Sequence, residues 1–342
     1  MRERSSNEVA LADEIAAFIR DPAAGEFGDL FLRLFARHYA CNRAYRVYCD
    51  NLRASPDTVG SWRDVPAVPA LAFKSITLSC VPIEDAAVVF HSSGTTDGRP
   101  GKHFMDEQAA SLYHASLTAG FHARIPRDMP LIALMPPPSV APNSSLSYML
   151  AALGAQQFYW DDYDAFARAV DIAEESGSPV CVFGTAFAFV ELFDRVSGSW
   201  ILPPGSYVIE TGGLKGRTRE VGRGDLYAMI TERIGVCDPF ALAEYGMSEM
   251  ASQYYGSVTS GLSGGHWVRA RIVDPLMLED TDEGVLWHYD LANWNSVGAI
   301  QTHDIGRRIS GSDEFHLIGR APRAQLRGCS LSVEERWTAR KP

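Results

Sequence analysis

His91-Ser-Ser-Gly-Thr-Thr-Asp-Gly-Arg-Pro-Gly-Lys102 is the most informative stretch of this chain. It follows a short apolar run, Ala87-Val-Val-Phe90, and precedes a segment with helical periodicity from Met105 to Ala123. Glycines at 94, 98 and 101 let backbone amides turn inward and approach an anion closely. Ser92, Ser93, Thr95 and Thr96 add hydroxyl donors, and Arg99 and Lys102 add positive charge. Strand, hydroxyl cluster and terminal cation together read as a phosphate loop. It is not a Walker A loop: Thr96 stands where that pattern needs glycine, and His103 follows the lysine.

Working outward, strand-like and helix-like segments alternate. Leu131–Leu134, Pro179–Phe183 and Tyr207–Glu210 read as strands, and Asp164–Glu175 and Arg219–Ile234 as helices. That alternation predicts an α/β layer fold with parallel strands. Before the loop, Ala10–Ile19 and Leu30–Leu52 carry helical stripes, the second through Phe31, Leu34, Phe35, Tyr39, Ala44, Tyr45 and Tyr48. Pro56, Pro66 and Pro69 then break the pattern. After Gly265 the texture is strands: His266–Val273, Gly284–Tyr289 and Glu314–Leu317. The organisation expected is a helical cap and lead-in over 1–80, a core over 81–328 and a short tail over 329–342.

The 342 residues suffice for a sizeable core, with 46% hydrophobic and 21% charged residues, as in globular chains. A net charge of −11 disfavours nucleic acid and anionic membranes as partners, but not ATP, which needs only a local cluster of donors. The N-terminus lacks the apolar core of a signal peptide, and the longest apolar run, Pro179–Phe193, is interrupted by Glu191; a soluble, cytoplasmic protein is expected. The six cysteines form no Cys-x-x-Cys pair and no zinc pattern, so each is expected to be a small buried hydrophobe.

Four further segments follow in order: Glu210-Thr-Gly-Gly213, Ala243-Glu-Tyr-Gly-Met-Ser-Glu249, Gln301-Thr-His-Asp-Ile-Gly-Arg307 and Ile318-Gly-Arg320. Taken singly each is weak, and Asp304-Ile-Gly306 reads most simply as a turn. As an ordered set, over about Ala86 to Ser332, they resemble the adenylate-forming superfamily of acyl-CoA synthetases, peptide-synthetase adenylation domains and luciferases. Within it the chain is similar to the LuxE-type acyl-protein synthetases. The runs that carry this are Pro136-Pro-Pro-Ser139 with Asn143-Ser-Ser-Leu146, Thr211-Gly-Gly-Leu-Lys-Gly216, Tyr245-Gly-Met-Ser-Glu249 and Arg327-Gly-Cys-Ser-Leu331.

The resemblance implies the large α/β domain of these ligases, with mixed sheets and helices and the small C-terminal domain absent or truncated. It implies ATP and Mg²⁺ as cofactors. Lys102 and Ser92, Ser93, Gly94, Thr95 and Thr96 would hold the outer phosphates, and Glu249 with Thr96 the metal. Gly212 and Gly213 would line the purine, Tyr245 and Gly246 would pack on it, Asp304 would accept the ribose hydroxyls and Arg320 would lie near the ribose or phosphates. Asp97 and Gly101 look like insertions relative to the family loop, which displaces Lys102.

The implied reaction activates a carboxylic acid to an acyl-adenylate and passes it to a thiol. Cys329, with Arg323 and Arg327 nearby to favour a thiolate, is the implied acyl acceptor, serving a partner reductase. Transfer to CoA or a carrier protein, and a non-catalytic nucleotide- or acyl-binding protein, are the alternatives. The acid pocket is expected among Phe121, His122, Ser144, Trp160 and Phe183.

Overall fold

The computed structural model describes residues 6–92, 100–212 and 221–321. Three helices open the chain: α1 (Ser6–Arg20), α2 (Phe27–Cys41) and α3 (Arg43–Asn51). Strand β1 (Val68–Pro69), a 3₁₀ turn (Ala70–Lys74), strands β2 (Val88–His91) and β3 (Lys102–Met105), and helix α4 (Glu107–His122) follow. Next come β4 (Leu131–Leu134), α5 (Ser145–Ala152), β5 (Gln157–Phe158), α6 (Tyr163–Ser176), β6 (Cys181–Thr185), α7 (Ala186–Arg195), β7 (Tyr207–Thr211), α8 (Arg223–Ile234), β8 (Ala241–Tyr245) and β9 (Tyr254–Ser257). The described chain closes with β10 (Val268–Val273), β11 (Glu283–Asp290), β12 (Ala299–Arg308) and β13 (Phe315–Arg320).

Two compact units result. The first comprises Met1–Ala119, Met247–Ser252 and Gly264–Pro342, and the second Gly120–Gly246 and Gln253–Ser263.

The second unit is a six-stranded sheet in the order β5-β4-β6-β7-β8-β9, parallel except for the antiparallel edge strand β9. Its strands are mostly apolar runs, as strands buried on both faces tend to be, with Glu210 in β7 and Glu244 in β8 as exceptions. Leu131–Leu134 is buried at every position. Phe166, Val170, Phe189, Val190, Leu226 and Ile230 from α6, α7 and α8 pack with Ile132, Val182 and Val208 of the sheet. Asp162 caps α6 by accepting from the Ala165 amide, and Gly177 ends that helix in the left-handed region.

The first unit is built on an antiparallel sheet, β10-β11-β12, in which β11 occupies one edge of β12. The other edge is shared: β1 runs parallel to β12 with Pro69 opposite Gln301, and β13 runs antiparallel with Arg320 opposite Asp304. The chain therefore leaves β12 after Pro69, just where the end of β13 takes over that edge. Helices α2 and α3 bury Phe31, Leu34, Phe35, Tyr45 and Tyr48. The single stripe expected over Leu30–Leu52 is two helices, because Asn42 leaves helical geometry and its side chain caps α3 at the Tyr45 amide, 3.1 Å away.

Two other expectations need correction. Asp304-Ile-Gly306 is not a turn but lies inside β12, where the register shifts between Ile305 and Gly306 and so absorbs the glycine. The cysteines are not all small buried hydrophobes: Cys41 and Cys80 form a disulfide with Cα atoms 4.8 Å apart, and Cys237 is exposed, while Cys49 and Cys181 are buried as expected. Among the described residues no helix is long and apolar enough to cross a membrane.

Candidate nucleotide site

The residues singled out from sequence divide between the two units. Ser92, Lys102, Glu249, Asp304 and Arg320 are in the first; Gly212, Tyr245 and Gly246 are in the second. Ser93, Gly94, Thr95, Thr96, Gly213 and Cys329 lie outside the described residues.

In the second unit, the two motifs Thr211-Gly-Gly and Tyr245-Gly end adjacent parallel strands. Thr211 of β7 is the register partner of Glu244 of β8, so both motifs emerge together at the carboxyl ends of the strands, where open α/β sheets bind ligands. Gly212 turns the chain out of β7 at φ 81°, a conformation that a side chain disfavours. Tyr245 is buried, with its ring 6.1 Å from that of Tyr254. A buried acidic pair underlies the strand ends. Glu210 accepts from Arg223 (3.1 Å) and Tyr227 (3.2 Å), and its carboxyl is pushed up by burial against the pull of Arg223. Glu244 accepts the Thr211 hydroxyl, and burial together with the nearby Glu210 charge pushes it up to about 7. Sequence reasoning passed over Glu244; its signal was a carboxylate inside an otherwise apolar strand, Ala241-Leu-Ala-Glu-Tyr245.

In the first unit, Ser92 and Gly101 close the base of the loop. The Ser92 amide donates to the Gly101 carbonyl, and the Gly101 amide donates back to the Ser92 hydroxyl oxygen, both at 2.9 Å. Glu249 stands against this pair. A Cβ at Gly101 would lie 2.8 Å from Ser92 Oγ, 3.3 Å from Phe73 Cβ and 3.4 Å from Glu249 Oε1, so only glycine allows the approach. Glu249 is 7% exposed. Burial pushes its carboxyl up; its own amide, the Ser92 hydroxyl, and the charges on Lys74 and Arg320 pull it down.

The backbone around Glu249 is held on three sides. His103 Nδ1 meets the Ser248 carbonyl at 2.8 Å, the Asn293 side-chain amide donates to the Glu249 carbonyl at 2.8 Å, and Asp290 accepts from the Ala251 amide at 2.9 Å and the Ser252 hydroxyl at 2.6 Å. Burial drives the His103 imidazole down to about 4 and the Asp290 carboxyl up to about 6. The backbone that carries this carboxylate is thus fixed from three directions.

Asp304 and Arg320 meet across β12 and β13, with Arg320 Nε 3.2 Å from Asp304 Oδ1. Lys102 opens β3 directly opposite His91 and is exposed. It is therefore the first residue of a strand rather than the last of a loop, and the charge that His91 senses is that of Lys102. Among the described residues no group of three or more His, Cys, Asp and Glu side chains converges on one point. Of the residues expected to line an acid pocket, Phe121 and Phe183 are core, Ser144 caps α5, His122 meets the Ile125 carbonyl at 3.1 Å, and Trp160 is 57% exposed.

The fold is that of adenylate-forming ligases. It matches 2-hydroxyisobutyryl-CoA ligase in complex with 2-HIB-AMP (TM-score 0.62, 15% identity, 86% of this chain and 67% of that one). It also matches ATP-bound MatB from Rhodopseudomonas palustris (TM-score 0.51, 18% identity, 78% of this chain and 54% of that one), about half of whose length it spans. Within that class, residues 16–152 match the sequence model of the acyl-protein synthetase family LuxE. The chain is 23% identical over 326 residues to a long-chain-fatty-acid–luciferin-component ligase of Vibrio harveyi, covering 89% of this chain and 86% of that one. These matches bear out the resemblance drawn from the motifs: the chain has the fold of adenylate-forming ligases and is similar in sequence to the LuxE-type acyl-protein synthetases.

Proposed function

We propose that this enzyme uses ATP to convert a carboxylic acid, a long-chain fatty acid in the first instance, to an acyl-adenylate, and then transfers the acyl group to a thiol. The observation that carries the ATP site is the contact of a buried carboxylate, Glu249, with the Ser92–Gly101 base of a loop rich in hydroxyls and glycines. The similarity to the long-chain-fatty-acid–luciferin-component ligase of Vibrio harveyi supports the fatty acid.

Glu249 is the residue that would hold Mg²⁺, with Thr96 from the loop. A single buried carboxylate suits this ion, which is bound through one or two carboxylates plus substrate phosphates rather than in an all-protein cage. When bound, the ion supplies charge neutralisation between the phosphates. By the motif match, Ser92, Ser93, Gly94, Thr95 and Thr96 would take the polyphosphate, Tyr245, Gly246, Gly212 and Gly213 the purine, and Asp304, which Arg320 holds at 3.2 Å, the ribose hydroxyls.

The acid, already ionised, attacks the α-phosphorus through one carboxylate oxygen. The new C–O–P linkage forms as the P–O bond to pyrophosphate breaks, so no general base is required and positioning does most of the work. A thiolate then attacks the acyl carbonyl and AMP departs. Cys329 is the acceptor in this reading, from which a partner reductase takes the acyl group; CoA or a carrier-protein thiol is the other acceptor consistent with the class.

Acid-dependent pyrophosphate release from ATP, run over a panel of fatty, short-chain and aromatic acids, tests the first step; no release with any acid would refute it. Intact mass after incubation with ATP and the best acid tests the second. An acyl adduct on the unaltered protein that is missing from Cys329→Ala identifies the acceptor, whereas unmodified protein with product on CoA or a carrier assigns the thiol elsewhere.

A further inference from the structure

The cation expected at the phosphates, Lys102, stands at the start of a strand, beside His91. A different lysine, Lys74, is carried by a turn that packs at the same glycine as Glu249. Lys74 ends the 3₁₀ turn Ala70–Lys74, which packs on both β12 and β3. Its position follows from strand register. Pro69 sits opposite Gln301, the chain then leaves that edge of β12, and the edge is next occupied by Arg320 opposite Asp304. The turn thus delivers its residues beside the Asp304–Arg320 pair. Its other side is fixed by Phe73, whose Cβ packs at the same point on Gly101 that Ser92 Oγ and Glu249 Oε1 approach. Phe73 is buried while Lys74 is half-exposed, so the anchor of the turn is apolar. Electrostatics agree: Lys74 and Arg320 are the cations that pull the Glu249 carboxyl down, and the same two act on His303.

Resting on the ATP reading above, we infer that Lys74 receives the outer phosphates of ATP, next to the carboxylate assigned to the metal. The chemistry requires such a group. Two anions, the acid and the triphosphate, must approach each other, and the departing pyrophosphate gains charge as its bond to the α-phosphorus breaks. A lysine serves well as a point charge with three donors and a long stem. The tether is also short. The turn that ends at Lys74 follows β1 directly, so the sheet that positions Asp304 positions this cation too.

The test compares Mg²⁺-ATP with AMP, which lacks the outer phosphates, by equilibrium binding without acid. Lys74→Gln is expected to weaken ATP roughly tenfold or more, the loss of one charge-assisted contact, while leaving AMP within about twofold. Lys74→Arg is expected to restore most of the ATP affinity, and Lys102→Gln to weaken ATP less than Lys74→Gln does. Equal losses for ATP and AMP would mean that Lys74 only supports the fold near Glu249 and would overturn the inference. So would an ATP affinity untouched by Lys74→Gln, or a loss confined to Lys102→Gln. Acid-dependent pyrophosphate release by the unaltered protein decides the enzymatic reading separately: binding that behaves as expected with no release would refute the reaction and keep the phosphate contact, and an unaltered protein that binds neither nucleotide would refute both.

Discussion

Glu244 offers a sharp test of how the strand ends are held. Its carboxyl is buried, bonded by the Thr211 hydroxyl and close to Glu210, and burial pushes it from 4.5 up to about 7. In the unfolded chain the group ionises above about pH 4.5; in the folded protein it keeps its proton to about pH 7. Folding therefore binds a proton in this window, and the contribution of Glu244 to stability falls as pH rises through it. Below the unfolded value there is no penalty. Above pH 7 the full penalty applies, about 3 kcal/mol at about 1.4 kcal/mol per pH unit. Glu244→Gln keeps an oxygen for the Thr211 hydroxyl and removes the titration. The advantage of the variant over the unaltered protein should therefore grow with pH. Linkage between 4.5 and about 7 gives a rise of about 2 kcal/mol between pH 5.5 and 8.5. Urea unfolding of both proteins at the two pH values measures this directly, and other titrating groups such as Asp290 cancel in the difference. A constant offset between variant and unaltered protein, with no growth toward high pH, would refute the claim that Glu244 is held neutral.

Three further outcomes are expected. Gly101→Ala pushes a methyl to 2.8 Å from Ser92 Oγ, so Ser92 moves off Glu249; acid-dependent pyrophosphate release should fall steeply, with an overpacking cost of about 1–3 kcal/mol in thermal unfolding. Asn293→Ala leaves the Glu249 carbonyl without its 2.8 Å donor in a buried setting and should cost about 1–3 kcal/mol in denaturant unfolding. Reducing the Cys41–Cys80 bridge, which closes a sequence separation of 39, should lower stability by about 4 kcal/mol on the chain-entropy account; peptide mapping should find both cysteines alkylated only after reductant is added.

What the sequence revealed followed from local pattern. Leu131–Leu134 and Tyr207–Thr211 were legible because a parallel strand buried on both faces is an apolar run, and α6 because its stripe, acidic cap and closing Gly177 agree. The phosphate loop and the Tyr245–Glu249 segment stood out because unusual residue types cluster there. Strand β12 did not, since its buried Asp304 and its glycine at a register shift imitate a turn. Strand β8 hid behind Glu244, whose charge argues against burial until the Thr211 partner on the next strand is known. Helix α7 was masked by the apolar run that begins in β6. The Cys41–Cys80 pairing and the placement of Lys74 are tertiary facts: each depends on strand or helix register between segments far apart in sequence, which no local window contains.

Every residue from His288 to Thr302 is buried, although much of this stretch is neither helix nor strand. Its backbone is tied down by a ring of donors and acceptors: Trp294 O takes Arg37 and His38, Ser296 O takes Asn42, Asn295 O takes the Cys80 amide, and the Gly298 amide gives to His38. A loop wired in this way behaves kinetically as core. Its amides should exchange with solvent deuterium only as fast as the surrounding sheet opens, and an epitope inserted there would be rejected, whereas the hairpin tip at Leu276 and Met277, 82% and 69% exposed, would accept one.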